Sequence, residues 1–105
     1  MEEEKSEERE GGIASAHKLF KALGHPTRLQ MVRLLLSGDE RCVKRLVADT
    51  GEEFSSVSQH LRVLREAGLV EERRSGRQNF YQLCHCERVR QLLDVGDVIL
   101  SQERT

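Results

Sequence analysis

The sequence predicts a small, mainly α-helical domain of about five helices with one β-hairpin, on three observations. Its 105 residues make about one domain, with room for a modest core and no second globular unit. Its apolar content is aliphatic: sixteen Leu and Ile and nine Val stand against three Phe, one Tyr and no Trp, which suits helix packing better than an aromatic-rich barrel. Apolar residues recur at three- and four-residue steps along the chain and change to a period of two after Gly68.

The first punctuated segment, IASAHKLFKALG at residues 13 to 24, sets Ile13, Ala16, Phe20 and Leu23 on one helical face, and Gly24 is expected to stop it in the left-handed conformation. Pro26, the only proline, sits where a first helical turn tolerates it. It opens PTRLQMVRLLLSGD, with Leu29, Val32, Leu35 and Leu36 inward and a break at Ser37-Gly38-Asp39. VKRLVADTG then gives a short third helix carrying Val43, Leu46 and Val47 and ending at Gly51.

The fourth helix is SSVSQHLRVLREAG, from residue 55. At about 100° per residue, Val57, Leu61 and Leu64 fall within about 60° of one another and define the buried side. Ser55, Gln59, Arg62 and Glu66 lie opposite, with Ser56 and Ser58 on the flanks. The alternating run LVEERRSGRQNFYQL reads as two strands around Ser75-Gly76-Arg77, with Arg73, Arg74, Arg77 and Gln78 exposed. A last helix, ERVRQLLDVGDVILSQE at residues 87 to 103, puts Val89, Leu92, Leu93, Gly96, Ile99 and Leu100 on one stripe, too long for so small a core.

Two short helices joined by a glycine-containing turn and followed by a basic hairpin make a winged helix-turn-helix. A polar outward face by itself belongs to nearly every surface helix; the ordered series of helices and basic hairpin is what points to double-stranded DNA. Hydrogen-bonding Ser, Gln and Arg side chains can address base edges in a major groove, and wing arginines can hold phosphates.

The net charge of −1 hides a division of the chain. Residues 1–10, MEEEKSEERE, hold six glutamates against Lys5 and Arg9, a net of −4, so residues 11–105 carry 15 basic against 12 acidic side chains and a net of +3. Residues 1–12 are expected to be a disordered acidic tail and residues 13–105 the DNA-binding and dimerisation domain. The start has neither a basic n-region nor an apolar h-region, and no apolar run approaches the roughly 18 residues of a membrane helix, so a cytoplasmic protein is expected. Three cysteines without an export signal suggest reduced thiols. No Ser-His-Asp set, phosphate loop or paired carboxylate suggests an enzyme.

In FKALGHPTRLQMVRLL, SSVSQHLRVLREAGLV and RRSGRQNFYQL the chain resembles the ArsR/SmtB family of small bacterial and archaeal repressors, over residues 13 to about 100. The resemblance implies a homodimer on a palindromic operator, released by a metal or metalloid ion or, in some branches, by thiol oxidation. The family's recognition-helix contacts fall on Ser55, Ser58 and Gln59. The apolar faces of the first and last helices would form the dimer seam, through Ile13, Ala16, Phe20, Leu92, Leu93, Ile99 and Leu100. The chain departs from the family pattern at two places: His25 stands where an acidic or amide cap is usual, and Glu53-Phe54 replaces a Ser-Gln pair.

Elimination narrows the sensing site. Residues 87–105 contain no histidine, so the family's zinc or nickel site on the last helix is absent. In RCVKRL, Cys42 matches the first thiol of a Cys-x-Cys pair and Lys44 occupies the second. The second helix has no cysteine. What remains is Cys42 with Cys84 and Cys86 of LCHC. In a winged helix the segment before the third helix pairs with the second hairpin strand, so the three thiols are expected to converge into a site for a soft, arsenite-like metal or metalloid ion. Their positions at helix N-termini would lower their pKa values. Thiol redox or persulfide sensing through the same cysteines, including a Cys42–Cys84 disulfide, is the rival outcome. A small core residue and a mere turn are the plain alternative. His17, His25 and His60 read as caps, core residues or phosphate contacts. In another functional class, the fold would bind a partner protein without an operator.

Overall fold

The computed structural model describes residues 15–104; the acidic segment 1–12 and Ile13 lie outside them. The element order is α1 (Ala16–Leu23), α2 (Pro26–Leu35), β1 (Arg41–Cys42), α3 (Val43–Thr50), α4 (Phe54–Glu66), β2 (Val70–Ser75), β3 (Gln78–Leu83) and α5 (Cys86–Arg104). The described residues form a winged helix-turn-helix of five helices, in which β1 joins the expected hairpin as a third strand. The sheet is antiparallel in the order β1-β3-β2.

Local chemistry explains most boundaries. The Ser15 hydroxyl accepts the Lys18 N–H and starts α1. Gly24 ends it at φ −83°, not in the left-handed conformation the sequence suggests. Glycine is needed there for closeness, since a Cβ would lie 3.1 Å from the Phe20 carbonyl oxygen. His25 caps α2 through Nδ1, which accepts the Thr27 N–H at 3.1 Å, and Pro26 follows at the first helical position. Gly51 terminates α3 at φ 77°, with its N–H on the Val47 carbonyl. In the hairpin Ser75 faces Gln78 across Gly76 (φ 63°) and Arg77, so glycine holds the first central position of a two-residue turn.

The core lies where α2, α3 and α4 meet the inner face of the sheet. Met31, Val32 and Leu35 come from α2, Leu46 from α3, and Val57, Leu61 and Leu64 from α4. Leu69, Val70, Tyr81 and Leu83 close it from the sheet side, with Val89 and Leu93 from α5. Each fully buried aliphatic side chain contributes roughly 1.5–3 kcal/mol. The three anchors of α4 therefore fix the roll of that helix firmly, and with it the face turned to solvent.

Candidate nucleic-acid interface and thiol positions

Opposite those anchors, Ser55, Ser58, Gln59 and Arg62 are exposed along α4. Phe54, the first residue of the helix, is exposed as well. Ser56 is half-buried, and its hydroxyl donates to Glu52 Oε1 at 3.2 Å. Glu52 Oε2 accepts from the Thr27 hydroxyl at 3.2 Å. Glu52 thus ties the start of α2 to the start of α4, and Ser56 serves that tie.

A second link between the two helices runs through Arg28. Its Nε donates to the Ala22 carbonyl at 2.7 Å and its Nη2 to the Lys21 carbonyl at 3.3 Å, closing the end of α1. Its Nη1 lies 3.3 Å from His60 Nδ1. Arginine has only donors, so that imidazole nitrogen accepts and the ring is neutral. The His25 ring stacks at a tilt against His60, with centroids 4.5 Å apart. Burial first, then the charges of His25 and Arg28, push the His60 pKa below its ordinary value, with Glu52 opposing.

The wing presents Arg74, Arg77 and Gln78 at its exposed end, and Arg74 Nε donates to the Gly76 carbonyl at 3.3 Å. Arg73 is engaged elsewhere. Its Nε and Nη2 donate to the two carboxylate oxygens of Glu40 at 2.8 and 2.6 Å, and its guanidinium lies 5.4 Å over the Phe80 ring. These bonds hold the Glu40 carboxyl below its usual range and raise the Arg73 pKa. Arg65 pairs with Glu72, joining the far end of α4 to β2.

The cysteines do not converge. Antiparallel pairing places Cys42 opposite Phe80 and Arg41 opposite Tyr81. Residues earlier than β1, not later, therefore approach the end of β3, and the Gln82 side-chain amide donates to the Gly38 carbonyl. Cys84 lies four residues beyond Phe80, roughly 13 Å along the strand direction. A disulfide requires Cα atoms within about 7 Å, so Cys42 and Cys84 are not paired, and all three thiols are free. Among the described residues no group of three or more His, Cys, Asp or Glu could hold a metal ion. The expected three-thiolate site for an arsenite-like ion is not assembled.

Cys84 and Cys86 are also not strand neighbours pointing one way. His85 takes a left-handed φ of 56° between them, α5 begins at Cys86, and Cys86 Sγ donates weakly to the Leu83 carbonyl at 3.6 Å. Burial first, then Glu71 and Cys86, push the Cys84 pKa up, against the lowering expected at a helix start. Cys42 is the N-cap of α3, makes no side-chain capping bond, and lines a depression with Lys44, Phe54, Arg77 and Gln78.

The other conspicuous surface is apolar. Phe20, Val95, Val98, Ile99 and Leu100 are each 55–58% exposed. Ala16 is exposed and Leu92 half-buried beside them. Leu93, expected in the seam, is only 9% exposed and belongs to the chain's own core. Val95 and Val98 were missed, though the VGDVIL segment carries them beside Ile99 and Leu100.

A helix with a polar outward face, tied to its partner helix through Glu52 and Arg28 and followed by an arginine-tipped hairpin, defines a winged helix-turn-helix transcriptional regulator. Residues 25–72 match the model of bacterial regulatory proteins of the arsR family. An uncharacterized HTH-type transcriptional regulator of Methanocaldococcus jannaschii is 34% identical over 82 residues, 78% of this chain and 91% of that protein. The chain belongs to the arsR family. The biofilm growth-associated repressor of Xylella fastidiosa is 36% identical over 104 residues, 99% of this chain and 88% of the repressor. The homodimeric winged helix-turn-helix DNA-binding domain of a possible ArsR-family regulator from Mycobacterium bovis, solved by NMR, superimposes with a TM-score of 0.71 at 33% identity, covering 83% of this chain and 79% of that one. Among the described residues no helix is long and apolar enough to cross a membrane.

Proposed function

We propose that this chain is a cytoplasmic, non-enzymatic repressor that binds a palindromic operator in double-stranded DNA as a homodimer. Its folded unit is residues 13–105, preceded by the acidic tail 1–12. The observation that carries this reading is the exposed row of Ser55, Ser58, Gln59 and Arg62 on a helix whose roll is fixed by Val57, Leu61 and Leu64. These side chains read base edges, while Arg74, Arg77 and Gln78 hold phosphates. The homodimeric M. bovis relative and the X. fastidiosa repressor support the assembly and the direction of regulation. The exposed stripe of α5 with Phe20 of α1 and, outside the described residues, Ile13 supplies the seam.

Release by a thiol-directed signal is assigned to Cys84 and Cys86. They bracket the turn that joins wing strand β3 to α5, whereas Cys42 lies too far away to share their chemistry. One mobility-shift experiment tests both readings, using a duplex that the wild-type protein selects from a random pool. Gln59→Ala and Ser58→Ala are expected to lower discrimination over random DNA by about 1–3 kcal/mol per lost base contact. Peroxide, a persulfide donor and arsenite are then titrated in turn, and the Cys84→Ser/Cys86→Ser protein is expected to stay bound. An unchanged operator-to-random ratio in Gln59→Ala overturns the reading face. Normal release of the double variant overturns the thiol assignment for that agent.

A further inference from the structure

We propose that Phe54 reads the 5-methyl group of a thymine in each operator half-site, and accepts the methyl of 5-methylcytosine at the same place. This rests on the assignment of α4 as the DNA-reading helix and names a base feature that the polar side chains cannot recognise. Phe54 is the first residue of α4 and is 62% exposed. Among the described residues the other strongly exposed large apolar side chains belong to α1 and α5, where a second copy of the chain would cover them. Phe54 stands apart from that seam, on the same surface as Ser55, Ser58 and Gln59.

Its surroundings suit an apolar contact in the groove. It lines two depressions, one with Ser58, Gln59 and Arg62 along the helix, the other with Lys44, Arg77 and Gln78 toward the wing tip. The ring therefore forms the ridge between the side chains suited to base edges and the cations suited to phosphates. A recognition helix enters the groove with its N-terminal residues at the bases, which brings position 54 to the groove floor together with Ser55 and Ser58. A phenyl ring offers no hydrogen bond. The major-groove feature that rewards an apolar contact is the thymine C5-methyl, and a cytosine methylated at C5 presents the same group. The Glu53-Phe54 departure from the family's Ser-Gln pair thereby becomes a change of base preference at the helix tip.

The test uses the full chain, fluorescence anisotropy and the operator selected by the wild-type protein. Each thymine is replaced in turn by deoxyuridine, which removes the methyl and keeps every hydrogen-bonding group. One position per half-site is expected to weaken binding about fourfold, the loss for one methyl group left unburied, and about fifteenfold when both half-sites are changed. At that position 5-methylcytosine is expected to bind tighter than cytosine by a similar factor. Phe54→Ala should abolish both methyl effects while retaining the Gln59-dependent preference for operator over random DNA, and Phe54→Leu should keep part of them. Insensitivity of the wild type to every deoxyuridine substitution overturns the proposal, as does a methyl effect that persists undiminished in Phe54→Ala. Loss of Gln59 dependence as well would instead remove the DNA-reading assignment beneath it.

Discussion

Glutamate in place of Ile99 tests whether the exposed stripe of α5 is a seam between two copies. Ile99 is 58% exposed in the single chain. Complete burial of such a side chain contributes about 1.5–3 kcal/mol, so covering the remaining fraction contributes roughly 1–2 kcal/mol. In a twofold interface the same residue is buried on both sides, which doubles the loss to about 2–3.5 kcal/mol. The dimer should weaken by roughly thirtyfold to a few hundredfold before the cost of burying the new carboxylate is added. Sedimentation equilibrium at micromolar concentration measures this directly. Operator affinity should fall in step, because one copy presents only one of the two recognition helices required about 34 Å apart. Ser101→Glu, which places the same charge about half a turn from Leu92 and Ile99, is the control and should leave the dimer intact. A dimer of unchanged strength in Ile99→Glu, or a monomeric wild type, refutes the seam.

Arg77→Ala should weaken binding to all sequences alike and flatten the salt dependence by about 0.9 per lost phosphate contact, whereas Arg73→Ala should leave the slope near wild type because Glu40 already holds that guanidinium. Equal changes of slope in the two variants would show that Arg73 exchanges Glu40 for phosphate. For His60 the folded-state pKa lies below the ordinary 6.5, so the unfolded chain takes up the proton first. Stability is then full above about pH 6.5 and declines as pH drops toward the folded-state value; urea midpoints between about pH 7.5 and 5.5 should fall less in His60→Gln than in wild type, and an equal fall would clear His60 of the effect.

Features that one element decides alone could be read from the chain. Val57, Leu61 and Leu64 recur with the helical period, and all three are buried, so the opposite face of α4 followed directly. The helix end at Gly51 and the turn at Gly76 were legible as glycine punctuation, whereas the left-handed conformation expected at Gly24 falls at those two glycines instead. Features that depend on how distant segments align were not. The separation of Cys42 from Cys84 follows from an antiparallel register that no local pattern between them reveals, and the Arg73–Glu40 pair is likewise a product of that sheet. Leu93 shows a different limit, since periodicity marks a residue as apolar-facing without telling whether its own core or a second copy covers it. At Cys84 the nearby helix start suggested a lowered pKa, and the folded surroundings show that burial raises it instead.

The join at His85 links the wing to the long C-terminal helix through two residues. Wing strand β3 ends at Leu83 and α5 begins at Cys86, so little slack separates them. A helix of 19 residues is about 28 Å long, and a rotation of about 5° at its base swings its far end by roughly 2.5 Å. If two such helices are clamped together, the far ends stay still and the same rotation moves the groove-facing lobes instead. Because DNA fixes the distance between half-sites, a rotation at this joint, if the proposed thiol chemistry produced one, would become a mismatch of span felt by both halves of the operator at once.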